Sequence, residues 1–187
     1  IVILQRARTS YTDEEHPLQP KVNFWGEGIG EYWVSGWTLE TKKYTSDITS
    51  HIAQTSPVVV GRESEYKILI ESLLKPQSNN VLLVGESGSG KDAMVEAFAY
   101  QSFIGNMHQK LAHKRVFELM LGPLLAGAAS QHDLETRLQA IIDEVTHAGN
   151  IILFIPQFQH VLATSADINI AAILMPYLRD GKLPIIA

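Results

Sequence analysis

The 187-residue sequence lacks cysteine, clustered basic residues and long apolar runs. Without cysteine, the chain can have neither a disulfide framework nor a thiolate metal site. Its net charge is −5 and its lysines and arginines are scattered, so the basic footprint of a nucleic-acid-binding protein is absent. A membrane-spanning helix needs roughly 20 consecutive apolar residues, and no stretch approaches that length. The histidines show no spacing typical of metal ligands.

The chain is large enough for one substantial core, because 45% of its residues are hydrophobic. It begins at Ile1 rather than Met and stops inside the apolar stretch 185–187, so we expect a fragment. Residues 1–4 are followed by Arg6 and Arg8, a pattern with two interpretations. We favour the end of an ordinary strand or helix. The alternative is the last turn of an upstream membrane helix with basic flanks.

Residues 1–56 differ in composition from the rest of the chain. They hold all three tryptophans (Trp25, Trp33 and Trp37), many glycines and little helical periodicity. This predicts an irregular aromatic N-terminal arm or linker, with a short helix over residues 46–54. We favour tryptophans that form the arm's own core over tryptophans that form a partner surface. Pro57 marks the start of a second domain, residues 57–187.

The second domain alternates between helical and strand patterns. Its strands are expected to be parallel, joined by right-handed crossovers and covered by helices on both faces, which is a three-layer α/β fold. Ligands bind such sheets at the carboxyl ends of strands, so the segments after residues 84 and 155 should share one rim. Strands are predicted over residues 81–84, 115–121, 151–155 and 183–187, and helices over residues 63–74, 93–104, 133–147 and 168–178.

The segment after the first of these strands has the spacing of a phosphate-binding loop. Gly85, Gly90 and Lys91 match G-x-x-x-x-G-K-[ST] between a strand and a helix. Glycines let backbone N–H groups form an anion-binding nest, and the helix N-terminus adds partial positive charge. Lys91 is expected to reach the outer phosphates. Asp92 replaces the Ser or Thr that would hold magnesium, and its carboxylate is a candidate metal ligand.

Several segments, in order, make residues 57–187 resemble the large nucleotide-binding subdomain of the Clp-type AAA+ ATPases, which are ring-forming protein unfoldases. The resemblance implies a P-loop NTPase fold with a parallel sheet, truncated at its C-terminus. The matching segments are the adenine-flanking entry at 57–62, the phosphate loop at 80–91, the pore-loop segment and its helix at 125–138, the Walker B strand at 150–155, and the helix and turn at 174–183.

The resemblance also implies ligands and partners. The ligand would be ATP or ADP, with Mg²⁺ as its companion ion, and the partners would be AAA+ subunits in a homo- or hetero-oligomeric ring. A protein substrate or a protease partner, and a cytoplasmic location, are further implications; membrane association through a missing N-terminal segment is the alternative location. The implied nucleotide-binding residues are Val59, Val60, Gly61, Glu86, Ser87, Gly88, Ser89, Gly90, Lys91, Asp92 and Ala93.

The sequence departs from the family where hydrolysis is carried out. The family has Asp-Glu after its Walker B strand, whereas this chain has Pro156 and Gln157. The family's Asp steadies magnesium through water and its Glu polarises the attacking water. Proline has no charge, and Gln157, at the catalytic Glu position, cannot take a proton. Loss of an acid–base carboxylate costs about 10²–10⁴ in rate. The threading loop, residues 129–132, also lacks the family's aromatic residue.

We therefore predict a hydrolysis-impaired, nucleotide-binding AAA+ module with a regulatory or structural role in a ring. One alternative is an active ATP-dependent unfoldase in which Asp92 and Gln157 act in unusual ways, and another is a scaffold that binds no nucleotide. Asp143 and Glu144 lie together on a predicted helix, where a solvated face is favoured over a catalytic pair. Arg137 is interpreted as a surface or inter-subunit ion-pair partner rather than a catalytic finger.

Overall fold

A four-stranded sheet with helices on both faces forms the core of the part of the chain that the structure describes. The computed structural model describes residues 38–52, 55–76, 78–126, 128, 130–162, 170–181 and 183–187. Residues 1–37 of the predicted N-terminal arm (residues 1–56), which include all three tryptophans, and positions 127 and 129 of the pore-loop segment therefore lie outside the described residues. No described helix has both the length and the apolar character needed to cross a membrane.

The helices and strands follow the predicted alternation from residue 57 onward. The predicted helix over 133–147 spans Gln131–Ala148 and ends at Gly149, whose φ of 68° is the left-handed conformation of a glycine C-cap. In chain order the elements are α1 Thr41–Tyr44, β1 Thr45–Asp47, α2 Ile48–Ile52, α3 Glu63–Leu73, α4 Lys91–Phe103, β2 Arg115–Leu119, α5 Leu121–Leu125, α6 Gln131–Ala148, β3 Ile151–Phe154, α7 Phe158–Leu162, α8 Ile170–Asp180 and β4 Ile185–Ile186.

The sheet has the strand order β1-β2-β3-β4. Strands β2, β3 and β4 are parallel, as predicted, and β1 pairs antiparallel with β2. Residues 81–83 continue the sheet beyond β4: Val81 bridges Ile186 in parallel, and the Leu83 N–H donates to the Ala187 carbonyl at 2.6 Å. The phosphate-loop segment therefore follows a strand-like stretch beside β4.

The alternation of side chains along the strands divides the core into two layers. Phe117, Leu153 and Ile155 face one layer, built with α6 and α8. Val116, Ile152 and Phe154 face the other, built with α2, α3 and α4. All four residues of β3 are buried, because helices cover both faces of the strand. The predicted three-layer α/β architecture is confirmed.

Residues 38–52 pack against this sheet, which the sequence analysis did not anticipate. The predicted helix over 46–54 is wrong at its start, since Thr45–Asp47 forms β1 and the helix begins at Ile48. The Asp47 carboxylate pairs with Arg115 on β2, and the Thr49 hydroxyl accepts a hydrogen bond from the Val116 N–H at 2.8 Å. Pairing with β2 outweighs the weak local helical preference of this short segment. The domain boundary at Pro57 stays a prediction.

Glu144 has a structural role. Its carboxylate accepts hydrogen bonds from the backbone N–H groups of Glu40 (3.0 Å) and Thr41 (2.8 Å) and from the Thr41 hydroxyl (2.7 Å). These donors lie at the start of α1, where backbone N–H groups have no partner within the helix. The neighbouring Asp143 is exposed and accepts only from Gln139, one helical turn earlier, among the bonds resolved for it.

We expect Glu144→Ala to lower the free energy of unfolding by about 1.5–3 kcal/mol, because it removes a charged acceptor from partly buried donors. Urea unfolding followed by circular dichroism measures the change. Asp143→Ala is the matched control, with an expected change below about 0.5 kcal/mol for an exposed position. Equal effects of the two substitutions would contradict the structural role of Glu144.

Candidate functional site

The loop between residues 84 and 91 has the backbone conformation of an anion-binding nest. Gly88 has φ +75° and Gly90 has φ +87°, values in the left-handed region that side chains with a Cβ disfavour. Gly90 immediately precedes α4, so the loop leads directly into a helix N-terminus. Successive N–H groups in such a turn, combined with the helix dipole, favour an anion.

Lys91 closes this loop on itself. Its Nζ donates to the carbonyl oxygens of Gly85 and Glu86, both at 2.8 Å, and lies 3.5 Å from the Ser89 hydroxyl. The ammonium group is therefore positioned at the loop, although its hydrogen bonds go to the loop's own acceptors. An incoming phosphate would exchange neutral carbonyl partners for charged ones, which form stronger hydrogen bonds.

The residues after β3 face the loop across a cavity of about 680 Å³. Gly85, Ser87, Gly88, Lys91 and Asp92 line one side of it. Pro156, Gln157, Phe158 and Gln159 line the other. The structure thus brings together the two segments that the parallel-sheet argument assigns to one rim. The volume falls within the roughly 300–1,000 Å³ of pockets that hold small-molecule ligands.

The predicted adenine-flanking residues lie outside the lining of this cavity. Val59 lines a separate cavity of about 340 Å³ with Tyr66, and Val60 is 84% exposed. Gly61 has φ +76°, and its N–H donates to the Glu63 carboxylate at 3.0 Å.

Arg62 connects this segment to the loop, because it lines a smaller cavity of about 190 Å³ together with Ser89, Gly90 and Lys91. Two further predicted residues, Glu86 and Ala93, have exposed side chains. The side-chain roles predicted for all of these residues stay predictions.

Gln157 occupies a strained turn between β3 and α7. Its φ of +52° lies in the left-handed region, where a residue with a Cβ costs roughly 1–2 kcal/mol. Its amide is exposed and can orient a water molecule by hydrogen bonding, but it cannot accept a proton at neutral pH. The half-buried Pro156 before it offers neither a charge nor an N–H group.

Glu118 is a residue near the site that the sequence analysis missed. It lies on β2 on the same face as Val116 and opposite Phe154 of β3, and Phe154 lines the 680 Å³ cavity. Burial raises the pKa of Glu118 above its ordinary value of 4.5, and the negative charge of Asp92 raises this pKa further. One feature of the sequence could have identified Glu118: it is a carboxylate between apolar residues on a strand predicted to be buried.

The carboxylates of Asp92 and Glu118 therefore both lie near the start of α4. Carboxylate oxygens are the hard ligands that Mg²⁺ prefers. Within the described ranges, no group of three or more His, Asp or Glu side chains is arranged to hold a metal. A magnesium ion here would need phosphate oxygens or water to complete its coordination shell, which is how Mg²⁺ usually binds at nucleotide sites.

Comparison with curated proteins finds chaperones. The chain is 36% identical over 148 residues to "Chaperone protein ClpB 2" of Thermosynechococcus vestitus, covering 76% of this chain and 17% of that protein. It is 39% identical over 166 residues to ClpB of Meiothermus ruber, covering 86% and 19%. The chain thus spans less than a fifth of the length of these relatives. No protein-family model matches it.

Comparison with solved structures identifies the same fold in yeast. The S. cerevisiae Hsp104–ADP complex superposes with a TM-score of 0.66 at 32% identity, covering 78% of this chain and 21% of that one. The S. cerevisiae Hsp104–casein complex in its extended conformation gives a TM-score of 0.68 at 32% identity, covering 79% and 26%. Sequence and structure comparisons therefore agree.

Proposed function

Because the chain belongs to the Clp-type AAA+ ATPases, we propose that it binds ATP or ADP at the loop of residues 85–92 and is impaired in hydrolysis. The observation that carries the proposal is the composition of the 680 Å³ cavity. One side has a glycine nest and Lys91, which suit a triphosphate. The other side has Pro156 and Gln157, which supply no general base.

The phosphate side of the cavity supports binding. Backbone N–H groups around Gly88 and Gly90 would hold the inner phosphates, and Lys91 would bind the outer ones once it leaves the Gly85 and Glu86 carbonyls. One of the solved relatives is a complex with ADP. Val59, Val60 and Gly61 are proposed to flank the base, with Arg62 between them and the loop.

The opposite side supports impaired turnover. Phosphoryl transfer depends on positioning and on electrostatic stabilisation by metal and protein groups. Asp92, with Glu118 close to it, would hold Mg²⁺, and the bound ion would supply positive charge that offsets the negative charge of the phosphates. Gln157 would orient water without activating it. Without the metal, the Asp92 carboxylate in the cavity lining would face the triphosphate, and a like-charge contact at 4 Å would cost roughly 1–4 kcal/mol in media of surface-like dielectric constant.

We expect Glu118→Gln to strengthen metal-free ATP binding by several-fold, because it removes a negative charge close to Asp92 and the phosphates. The folded protein holds the Glu118 proton more tightly than the unfolded chain, so stability falls as pH rises from 4.5 through the raised pKa. Metal-free ATP affinity should fall over the same window in the native protein, and that fall should be smaller in Glu118→Gln.

The measurement is equilibrium binding of a fluorescent ATP analogue in EDTA at several pH values. Glu135→Gln on α6 is the control, since it removes one exposed carboxylate outside the 680 Å³ cavity. If both variants bind the analogue equally tightly, Glu118 does not face the phosphates.

A role as a ring component completes the proposal. Clp-type relatives include Hsp104 in complex with casein. We propose that this chain supplies a regulatory or structural AAA+ subunit to a homo- or hetero-oligomeric ring, in which other subunits hydrolyse ATP for a protein substrate.

Two measurements test the function as a whole: equilibrium binding of ATP with and without Mg²⁺, and steady-state phosphate release. Binding without turnover supports the proposal. Robust turnover that is abolished by Lys91→Ala would instead identify an active unfoldase subunit. No binding at millimolar ATP would identify a scaffold that uses the fold without the nucleotide.

A further inference from the structure

A second cavity of about 590 Å³ lies at the end of the sheet opposite the phosphate loop. Its lining includes the residues just before three parallel elements: Lys114 before β2, Asn150 before β3 and Pro184 before β4. The phosphate loop follows the carboxyl end of residues 81–83, whereas these residues precede the amino ends of strands. The two cavities are therefore separate sites at opposite ends of the parallel strands.

The lining of this cavity is basic although the chain is acidic. Lys75, Lys110, Lys114 and His113 contribute to it, and no aspartate or glutamate among the described residues does. The net charge of the whole chain is −5, so the charge of this lining is opposite in sign to the charge of the chain as a whole. Lys114 is already engaged, because its Nζ donates to the Gly149 carbonyl at 2.5 Å, while Lys75 and Lys110 have exposed side chains.

Two buried acceptors in the same lining lack donors. The side-chain oxygens of Asn79 and Asn150 are buried and make no hydrogen bond in the described structure. The orientation of Asn79 follows from its Nδ2, which donates to the Gly181 carbonyl at 3.0 Å. A buried acceptor without a partner destabilises the protein, because no hydrogen bond replaces the water that it has lost. A ligand that supplied N–H donors would therefore gain hydrogen bonds here that the free protein lacks.

The wall formed by residues 109–114 is held in place. The buried Ser102 hydroxyl donates to the Leu111 carbonyl at 2.5 Å and accepts from the Lys114 N–H at 3.1 Å. The Ser102 carbonyl also accepts from the His113 N–H at 2.7 Å. Ser102 therefore fixes residues 111–114, which carry His113 and Lys114 and directly follow Lys110. A preformed site loses less entropy on binding.

We propose that this cavity binds an acidic peptide segment of a partner protein, with its carboxylates on Lys75 and Lys110 and its backbone N–H groups on Asn79 and Asn150. A peptide combines the negative charge that the lysines attract with the donors that the asparagine oxygens require. A simple anion such as phosphate provides the first but few of the second. The site would therefore bind a partner protein at the amino ends of the strands, opposite the nucleotide site.

The test is fluorescence anisotropy of a labelled hexaglutamate peptide with the whole chain at low salt, with hexaglutamine and inorganic phosphate as competitors. We expect saturable binding, no competition by hexaglutamine, and weak competition by phosphate. The double variant Lys75→Gln/Lys110→Gln should weaken binding by about 2- to 30-fold, because two exposed ion pairs are lost. Higher salt should weaken binding as well.

The matched control is Lys42→Gln/Lys67→Gln, which removes the same charge from exposed positions outside the cavity. Equal losses of peptide affinity in the two double variants would overturn the proposal, because binding would then depend on the overall charge of the protein and not on this cavity. Absence of saturable peptide binding would also overturn it, and efficient competition by phosphate would identify a small-anion site instead. ATP binding should be unchanged in both variants, which separates this result from any failure of the nucleotide site.

Discussion

ATP turnover is expected to rise by about 10²–10⁴ when Asp92→Thr, Pro156→Asp and Gln157→Glu are combined, because the change restores a general base and the usual metal supports. The three positions line one cavity, so the new groups would face the loop that carries Lys91. The glutamate at position 157 would have nearly the same size as the glutamine it replaces, and it would occupy the same left-handed backbone conformation. Steady-state release of phosphate from Mg-ATP measures the effect.

Two controls make this experiment decisive. Placing the glutamate at Gln159 instead of Gln157 adds the same charge to the same cavity lining, and we expect no comparable gain. Adding Lys91→Ala to the restored triple variant should abolish the gain. Turnover that stays at the native level, with ATP binding and circular dichroism intact, would contradict the view that these three positions cause the impairment.

Lys91→Ala is expected to weaken ATP binding by about 10- to 100-fold. A hydrogen bond from a charged donor contributes about 1.5–3 kcal/mol, and each 1.4 kcal/mol is a factor of ten in affinity. The substitution also removes the bonds to the Gly85 and Glu86 carbonyls, so the free loop should lose protection from hydrogen exchange.

Isothermal titration calorimetry with Mg-ATP measures the loss of affinity. Lys67→Ala is the control, as an exposed lysine on α3 whose partner Glu71 is one helical turn away. Lys91→Arg should retain part of the affinity, since the charge remains but the guanidinium is a larger, planar group. Unchanged affinity in Lys91→Ala would contradict a phosphate-binding role for this loop.

The elements that the sequence predicts well have signals contained within the element itself. The apolar spacing of α6 and its glycine stop gave the helix, and the short apolar run of β3 gave a strand buried on both faces. The rim shared by the loop and Pro156 followed from the parallel topology alone. These inferences need only local periodicity and a general rule of sheet architecture.

The features that escaped prediction depend on partners far along the chain. Glu144 looks solvated within its own helix, yet it binds Thr41, 103 residues earlier. Residues 45–47 become a strand because β2 offers them an edge, and Glu118 matters because α4 brings Asp92 close to it. One sequence does not encode such distant contacts as a recognisable local pattern.

The antiparallel strand β1 has a practical consequence for expression. A shortened chain beginning at Pro57, where the family resemblance starts, would uncover one edge of β2. It would remove the Asp47 partner of Arg115 and the Thr49 acceptor of the Val116 N–H. Unpaired strand edges promote aggregation. Recombinant versions that retain residues from Thr38 onward should therefore give more soluble material than versions trimmed to the motif.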